Sequence, residues 1–166
     1  MLQFYHTQSR QKEHFAPLEA GKVRMYTCGP TVYDRAHIGN FRAFLFADLL
    51  KRYLRYRGFE VLHVLNVTDI DDRILLRVRE EQVSLGDLTR RYADLFFRDL
   101  EALRVQPADV YPFASEHVGE MLALVGRLVD RGLAYQREGS VYFSISRFPQ
   151  YGQFARLDMA GMQDGV

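Results

Sequence analysis

Side chains capable of chemistry concentrate between positions 28 and 40. His37 and Asn40 lie three residues apart at the start of a helical pattern, and Gly39 lies between them. Imidazole and amide N–H groups can bind phosphate oxygens, and a helix N-terminus adds unpaired backbone N–H groups and a partial positive charge. The spacing therefore predicts a phosphate site. The alternative, that both side chains only cap the helix, is equally consistent with so short a pattern.

Cys28 is the single cysteine of the chain and directly precedes Gly29. A lone cysteine is most often a small buried apolar residue, but a thiolate is also a good ligand for a soft metal such as zinc. A tight zinc site needs four ligands. The remaining histidines show no metal-ligand spacing to Cys28 or to one another: His6, His14, His63 and His117.

Three aspartates, Asp69, Asp71 and Asp72, follow the strand that is predicted over 59–67. Such a cluster could bind magnesium, but acidic residues at a helix start are more typical of capping and of the helix dipole. We predict that Asp69 is the N-cap of a helix over 70–81.

These residues are predicted to lie on a strand–turn–helix–strand unit. Residues 22–27 alternate as a strand does, 37–57 follow a helical period, and 59–67 are almost continuously apolar. A strand that is apolar on both faces and is reached through a helix is typical of a parallel sheet, so the predicted class is doubly wound α/β. Ligands bind at the carboxyl ends of such strands. The widely apolar surface of helix 37–57 predicts burial on more than one side.

The rest of the chain is predicted to contain helices over 85–103 and 115–131 and a hairpin over 133–145, with its turn at Glu138-Gly139. The net charge of +1 does not by itself indicate a nucleic-acid partner. One cysteine excludes a disulfide framework and favours a reducing compartment. No apolar run approaches the roughly 20 residues that span a bilayer, so we predict a cytoplasmic protein without a membrane partner.

Two blocks of sequence carry a family resemblance. Residues 26–34 and 36–40 together resemble the first active-site motif of the class I aminoacyl-tRNA synthetases in its cysteinyl form. Residues 66–72 resemble the next block of that family at the expected distance, and 7–12 and 53–58 add weaker similarity. One difference is Asn40, where many class I enzymes have histidine.

The resemblance implies an ATP site at the first motif. His37 and Asn40 would be the catalytic residues, because they would stabilise charge as the cysteine carboxylate attacks the α-phosphate. Gly39 would leave room for the adenine or ribose. Mg²⁺ is implied together with ATP. The residues implied to bind ATP are Gly29, Thr31, His37, Gly39 and Asn40.

The resemblance also implies a cysteine site and a tRNA substrate. Cys28, Gly29 and Thr68 would contact the cysteine, and Cys28 would be one ligand of a zinc ion that binds the substrate thiolate. The other zinc ligands of the family lie in sequence that this chain lacks. The basic residues of helix 37–57 could contact tRNA phosphates or simply form a solvated helix end: Lys51, Arg52, Arg55 and Arg57.

The implied architecture is the first half of a Rossmann-like nucleotide-binding domain over 1–105, the start of an inserted helical and hairpin segment over 106–154, and a truncated or flexible tail over 155–166. We expect a monomer, and we expect these 166 residues to be inactive alone because the second class I phosphate-binding loop is absent. Two alternatives remain: a related ATP-dependent cysteine ligase acting on an amino sugar, and a non-catalytic truncated module that binds a nucleotide or tRNA.

Overall fold

The computed structural model describes residues 2–158. The chain divides into two compact units, one formed by 17–118 and the other by the described parts of 1–16 and 119–166. The strands are β1 Gln3–His6, β2 Gln11–His14, β3 Lys22–Thr27, β4 Glu60–Leu65, β5 Ala134–Arg137 and β6 Ser140–Phe143. The α-helices are α1 Ile38–Tyr56, α2 Asp72–Glu81, α3 Leu85–Ala102 and α4 Val118–Asp130. Short 3₁₀ helices cover Ala114–His117 and Ile145–Arg147.

The unit formed by 17–118 is built on a parallel pair of strands. β3 and β4 pair in parallel from Lys22 opposite Glu60 to Thr27 opposite Leu65, with α1 as the connection between them. Beyond β4, residues near Val110 and Phe113 continue the parallel pairing through bridges to Val64 and Val67. The predicted parallel α/β fold is confirmed, and the unit is a partial Rossmann-like fold.

Aromatic side chains from two helices hold the core of this unit together. Phe41 and Phe44 of α1 meet Phe96 of α3, with ring centroids 6.2 Å and 5.0 Å from it. These rings pack with Leu65 at the end of β4. Because this core extends to the end of β4, it supports the loop that precedes α1.

The prediction that α1 is buried on more than one side is wrong for the described residues. Its buried face includes Phe41, Phe44 and Leu54, whereas Phe46 and Leu49 are 66% and 64% exposed. The spacing of the apolar residues could not show that Asp48 and Lys51 also belong to the buried face. Asp48 accepts a hydrogen bond from the Gln106 N–H and Lys51 donates to the Pro107 carbonyl, and both partners lie more than 50 residues further along the chain.

The N-cap of α2 is Asp71, and the prediction of Asp69 is therefore wrong. The Asp71 carboxylate accepts a hydrogen bond from the Arg73 N–H at 2.8 Å. Asp69 is buried, and it instead accepts hydrogen bonds from the backbone N–H and the hydroxyl of Ser115. This contact joins residues 46 positions apart, so local capping rules could not reveal it.

The other unit contains two antiparallel hairpins. The predicted hairpin is confirmed as β5–β6, and both Glu138 and Gly139 take positive φ, as its two-residue turn requires. Tyr135 and Tyr142 pair across it and stack at 5.7 Å. The β1–β2 hairpin was not predicted. Its strands are mostly exposed and polar, which removes the alternation on which a strand prediction depends.

The division into compact units does not follow the predicted domain boundaries, which stay a prediction. Most of the predicted tail at 155–166 lies outside the described residues. None of the helices within 2–158 is long and apolar enough to cross a membrane.

Candidate functional site

A cavity of about 370 Å³ opens beside the loop that joins β3 to α1. This volume is within the range of small-molecule sites. The loop itself and the first turn of α1 form one side, while Phe44, Arg73, Tyr92 and Phe96 contribute from three helices. Four of the predicted site residues line the cavity: Gly29, Thr31, His37 and Asn40.

Gly29 lies where two backbones meet. A Cβ added at this position would be 1.6 Å from the carbonyl oxygen of Asn66 and 2.6 Å from the Leu65 side chain. Gly29 is not among the residues with positive φ. The reason for a glycine here is therefore close approach, which lets the β3–α1 loop lie directly against the end of β4.

Asn66 links the loop to the segment that follows β4. Its side-chain oxygen accepts a hydrogen bond from the Gly29 N–H at 3.0 Å, and its amide NH₂ donates to the Thr68 hydroxyl at 3.3 Å. The backbone of Thr68 also pairs with the loop, because its N–H donates to Pro30 and its carbonyl accepts from Val32. Gly29, Thr31 and Thr68 are thus brought together at the carboxyl ends of β3 and β4.

His37 and Asn40 form a reciprocal capping box at the start of α1. The Gly39 N–H donates to His37 Nδ1 at 3.1 Å, and the His37 N–H donates to Asn40 Oδ1 at 2.9 Å. A backbone N–H can only donate, so Nδ1 carries no proton and the neutral ring is protonated at Nε2. Within 2–158, neither Nε2 of His37 nor Nδ2 of Asn40 has a hydrogen-bond partner.

The capping and phosphate-binding interpretations are therefore compatible. The cap uses the acceptor atoms of His37 and Asn40 and leaves their N–H donors available. Both side chains are exposed and line the cavity, and the first turn of α1 contains no acidic residue. Donors at the N-terminus of a 19-residue helix are suited to an anion.

Gly39 does not line this cavity. A Cβ at Gly39 would lie 2.9 Å from Cε1 of the His37 ring. The structure thus gives Gly39 a direct reason to be glycine, since it leaves room for the ring that caps α1. Its predicted contact with the nucleotide stays a prediction.

Arg35 and Arg73 add positive charge to the cavity. The Arg73 guanidinium lies 6.0 Å from the centroid of the Tyr33 ring, and both residues line the cavity. No acidic side chain within the described residues forms an ion pair with Arg35 or Arg73. By contrast, Arg77 and Arg91 are both paired with Glu81. The two guanidinium groups at the cavity are therefore available to an anionic ligand, and Asp34 lines the same cavity.

Cys28 is exposed, and its thiol makes only a long contact of 3.8 Å with the Gly29 carbonyl. Cys28 and Thr68 lie at the same strand ends but do not line the cavity. The described residues contain no group of three or more His, Cys, Asp or Glu side chains that could hold a metal. The donor set present does not complete a zinc or magnesium site, so the role of Cys28 as a zinc ligand stays a prediction.

A second polar cluster forms around Lys51 of α1. Lys51 is fully buried, and its ammonium donates to the Pro107 carbonyl at 2.6 Å and lies 3.4 Å from Asp109. Burial lowers the pKa of Lys51, against the opposing effect of Asp109. Burial also works against the Asp109 carboxylate, but the His63 N–H and the Lys51 charge outweigh it and lower its pKa. Lys51 is therefore not part of the solvated helix end that was one of its two interpretations.

His63 belongs to the same cluster and connects it to the end of β3. Its Nε2 lies 2.7 Å from the Thr27 hydroxyl, directly before Cys28. Its Nδ1 is buried without a hydrogen-bond partner among the described residues. Burial, followed by the charge of Lys51, lowers the pKa of His63. The imidazole is consequently held in its neutral form near pH 7.

Comparison with known proteins identifies the family. Residues 14–166 match the family model described as the tRNA synthetases class I (C) catalytic domain. The chain belongs to this family. Cysteine–tRNA ligases match it over nearly its whole length: that of Brachyspira hyodysenteriae is 47% identical over 98% of this chain, and that of Pyrococcus furiosus is 42% identical over 100%. The chain spans 34% and 35% of those two relatives, about a third of their length.

Solved structures with low sequence identity show the same fold. The Mycobacterium tuberculosis methionyl-tRNA synthetase in complex with methionyl-adenylate is 21% identical, with a TM-score of 0.59 over 68% of this chain and 23% of its own. A LeuRS of Agrobacterium radiobacter is 22% identical, with a TM-score of 0.62 over 72% of this chain and 16% of its own. These similarities confirm the predicted class I synthetase fold.

The structure adds residues that the sequence argument had not assigned to the site. Asn66 lies in the block 66–72 that resembles the family, but the sequence predicted no role in the site for Asn66, Arg73 or Tyr92. A role for Asn66 could have been predicted from its position, because it follows β4 directly and so lies at the carboxyl end of a parallel strand. For Arg73 and Tyr92, only the packing of α2 and α3 beside the loop reveals the connection.

Proposed function

We propose that the protein containing this chain activates cysteine with ATP and then transfers the cysteinyl group to tRNA. The observation that carries the proposal is the set of free N–H donors on His37 and Asn40 at the cavity. The 42–47% identity to cysteine–tRNA ligases along nearly the whole chain supports the choice of amino acid and tRNA as substrates.

In this proposal His37 and Asn40 bind the ATP phosphates. The cysteine carboxylate attacks the α-phosphate, the bond to the β-phosphate oxygen breaks, and pyrophosphate leaves. Negative charge that accumulates on the α-phosphate as the adenylyl group is transferred would be stabilised by the His37 and Asn40 N–H groups and by the N-terminus of α1. Gly29 and Thr31 would border the nucleotide along the loop. Mg²⁺ would accompany ATP, without a binding site assigned among the described residues.

The amino acid would bind where Cys28, Gly29 and Thr68 meet at the strand ends. Cys28 would supply one thiolate to a zinc ion, which when bound would polarise the substrate sulfur. The described residues provide only this ligand, so the remainder of the site would come from elsewhere in the full protein. The same proposal places the protein in the cytoplasm as a monomer.

The test is cysteine-dependent exchange of pyrophosphate into ATP, followed by aminoacylation of tRNA, with the full-length gene product that contains these residues. We expect exchange with cysteine and charging of tRNA. Exchange without tRNA charging would favour a cysteine ligase that acts on another acceptor such as an amino sugar. Nucleotide or tRNA binding without exchange would favour a non-catalytic module. The 166-residue chain assayed alone is expected to be inactive.

A further inference from the structure

The side chain of Asn66 has only one orientation that satisfies its neighbours. The Gly29 N–H lies 3.0 Å from one end of the amide and can only donate, so that end must be the oxygen. The NH₂ group therefore faces the Thr68 hydroxyl at 3.3 Å. A backbone donor thus determines the direction of a side-chain hydrogen bond.

The direction of this bond determines what Thr68 can offer to a ligand. An NH₂ group cannot accept, so the Thr68 oxygen is the acceptor and its own proton must be directed elsewhere. The Thr68 backbone cannot shift to change this, because it pairs with Pro30 and Val32 on the loop. Within 2–158 the Thr68 hydroxyl has no acceptor of its own.

We propose that Asn66 is a positioning residue that orients the Thr68 hydroxyl as a hydrogen-bond donor toward the sulfur or the carboxylate of the amino-acid substrate. This inference rests on the proposed function, since it takes cysteine as the substrate. Both candidate groups are electron-rich acceptors, and an oriented donor favours them over an apolar side chain of the same size.

Asn66→Asp separates the two hydrogen bonds of the amide. The carboxylate still accepts from the Gly29 N–H, but its second oxygen now attracts the Thr68 proton and removes it from the substrate. We expect Asn66→Asp and Thr68→Val each to raise the KM for cysteine in pyrophosphate exchange about tenfold, as loss of one hydrogen bond does. The KM for ATP should stay unchanged, and the double variant should be no worse than either single one. Thr7→Val, in the turn of the β1–β2 hairpin, is the matched control.

Two competitive inhibitors distinguish the acceptor groups. Cysteamine lacks the carboxylate and 2-aminobutyrate lacks the sulfur. Weaker inhibition of Thr68→Val by cysteamine alone supports the sulfur, and weaker inhibition by 2-aminobutyrate alone supports the carboxylate. Unchanged inhibition by both, or an unchanged KM for cysteine in Asn66→Asp, overturns the inference while wild-type exchange still supports the proposed function.

A second readout does not depend on activity. A double-mutant cycle of Asn66→Ala and Thr68→Val, measured by urea unfolding, reports whether the two side chains interact in the folded protein. A measurable coupling supports the hydrogen bond, and additive effects overturn it. If the wild-type protein shows no exchange, the proposed function fails, and so does the claim that Thr68 donates to the substrate. The double-mutant cycle still tests whether Asn66 and Thr68 are hydrogen-bonded.

Discussion

Two polar regions of the same β3–α1–β4 unit differ in how their hydrogen bonds are satisfied. In the cluster around Lys51, the ammonium contacts Pro107 and Asp109 within the protein. At the start of α1, the His37–Asn40 cap satisfies the backbone but leaves two side-chain N–H donors facing a cavity. Removing one partner of a buried charged group destabilises a fold, whereas donors left over at a helix N-terminus are available to an anionic ligand.

The largest loss of stability is expected from a substitution at Gly29, in the loop before α1. Gly29→Ala would place a Cβ 1.6 Å from the Asn66 carbonyl oxygen, so the loop must separate from β4. We expect a loss of more than about 3 kcal/mol in the free energy of unfolding, measured with urea. Gly86→Ala in α3 is the control, because its Cβ meets nothing within 4 Å. Equal stability of the two variants would contradict the close-approach account.

A smaller loss of stability is expected from Lys51→Met. The substitution leaves the Pro107 carbonyl without its donor and weakens the pairing of Asp109, although Arg55 still lies 3.4 Å from that carboxylate. We expect a loss of about 2 kcal/mol, below the value for a fully buried pair because Asp109 is partly exposed. Arg79→Met, on the exposed side of α2, should change the unfolding free energy by less than about 0.5 kcal/mol. A Lys51→Met variant as stable as Arg79→Met would show that the cluster does not stabilise the fold.

The smallest effect is a pH dependence that arises from His63. Its pKa is lowered in the folded protein, so below about pH 6.5 the unfolded chain binds more protons than the native protein does. Stability should therefore fall as the pH drops from about 6.5 toward the lowered folded pKa. Unfolding titrations between pH 5 and 7.5 should show a shallower slope for His63→Gln than for the wild type. A wild-type slope in His63→Gln would contradict the assignment.

The sequence predicted the parallel strands and the site loop because both depend on local signals. The run of apolar residues in β4 and the glycine-containing turn before His37 are enough to place a binding edge. The sequence could not predict that Lys51 is buried, because its partners Pro107 and Asp109 come from a distant segment. The roles of Asn66 and Gly29 were also hidden, since they depend on two loops that approach within contact distance.

The central difference between the Lys51 cluster and the start of α1 depends on whether His37 only caps α1 or also binds phosphate. His37→Asn keeps an excellent N-cap acceptor and should preserve the unfolding midpoint, but its shorter side chain has no donor at the position of Nε2. In the full-length protein we expect cysteine-dependent pyrophosphate exchange to fall by about 10²-fold, as when one transition-state donor is lost. An unchanged exchange rate in a stably folded His37→Asn variant would contradict the account, because His37 would then be only a helix cap.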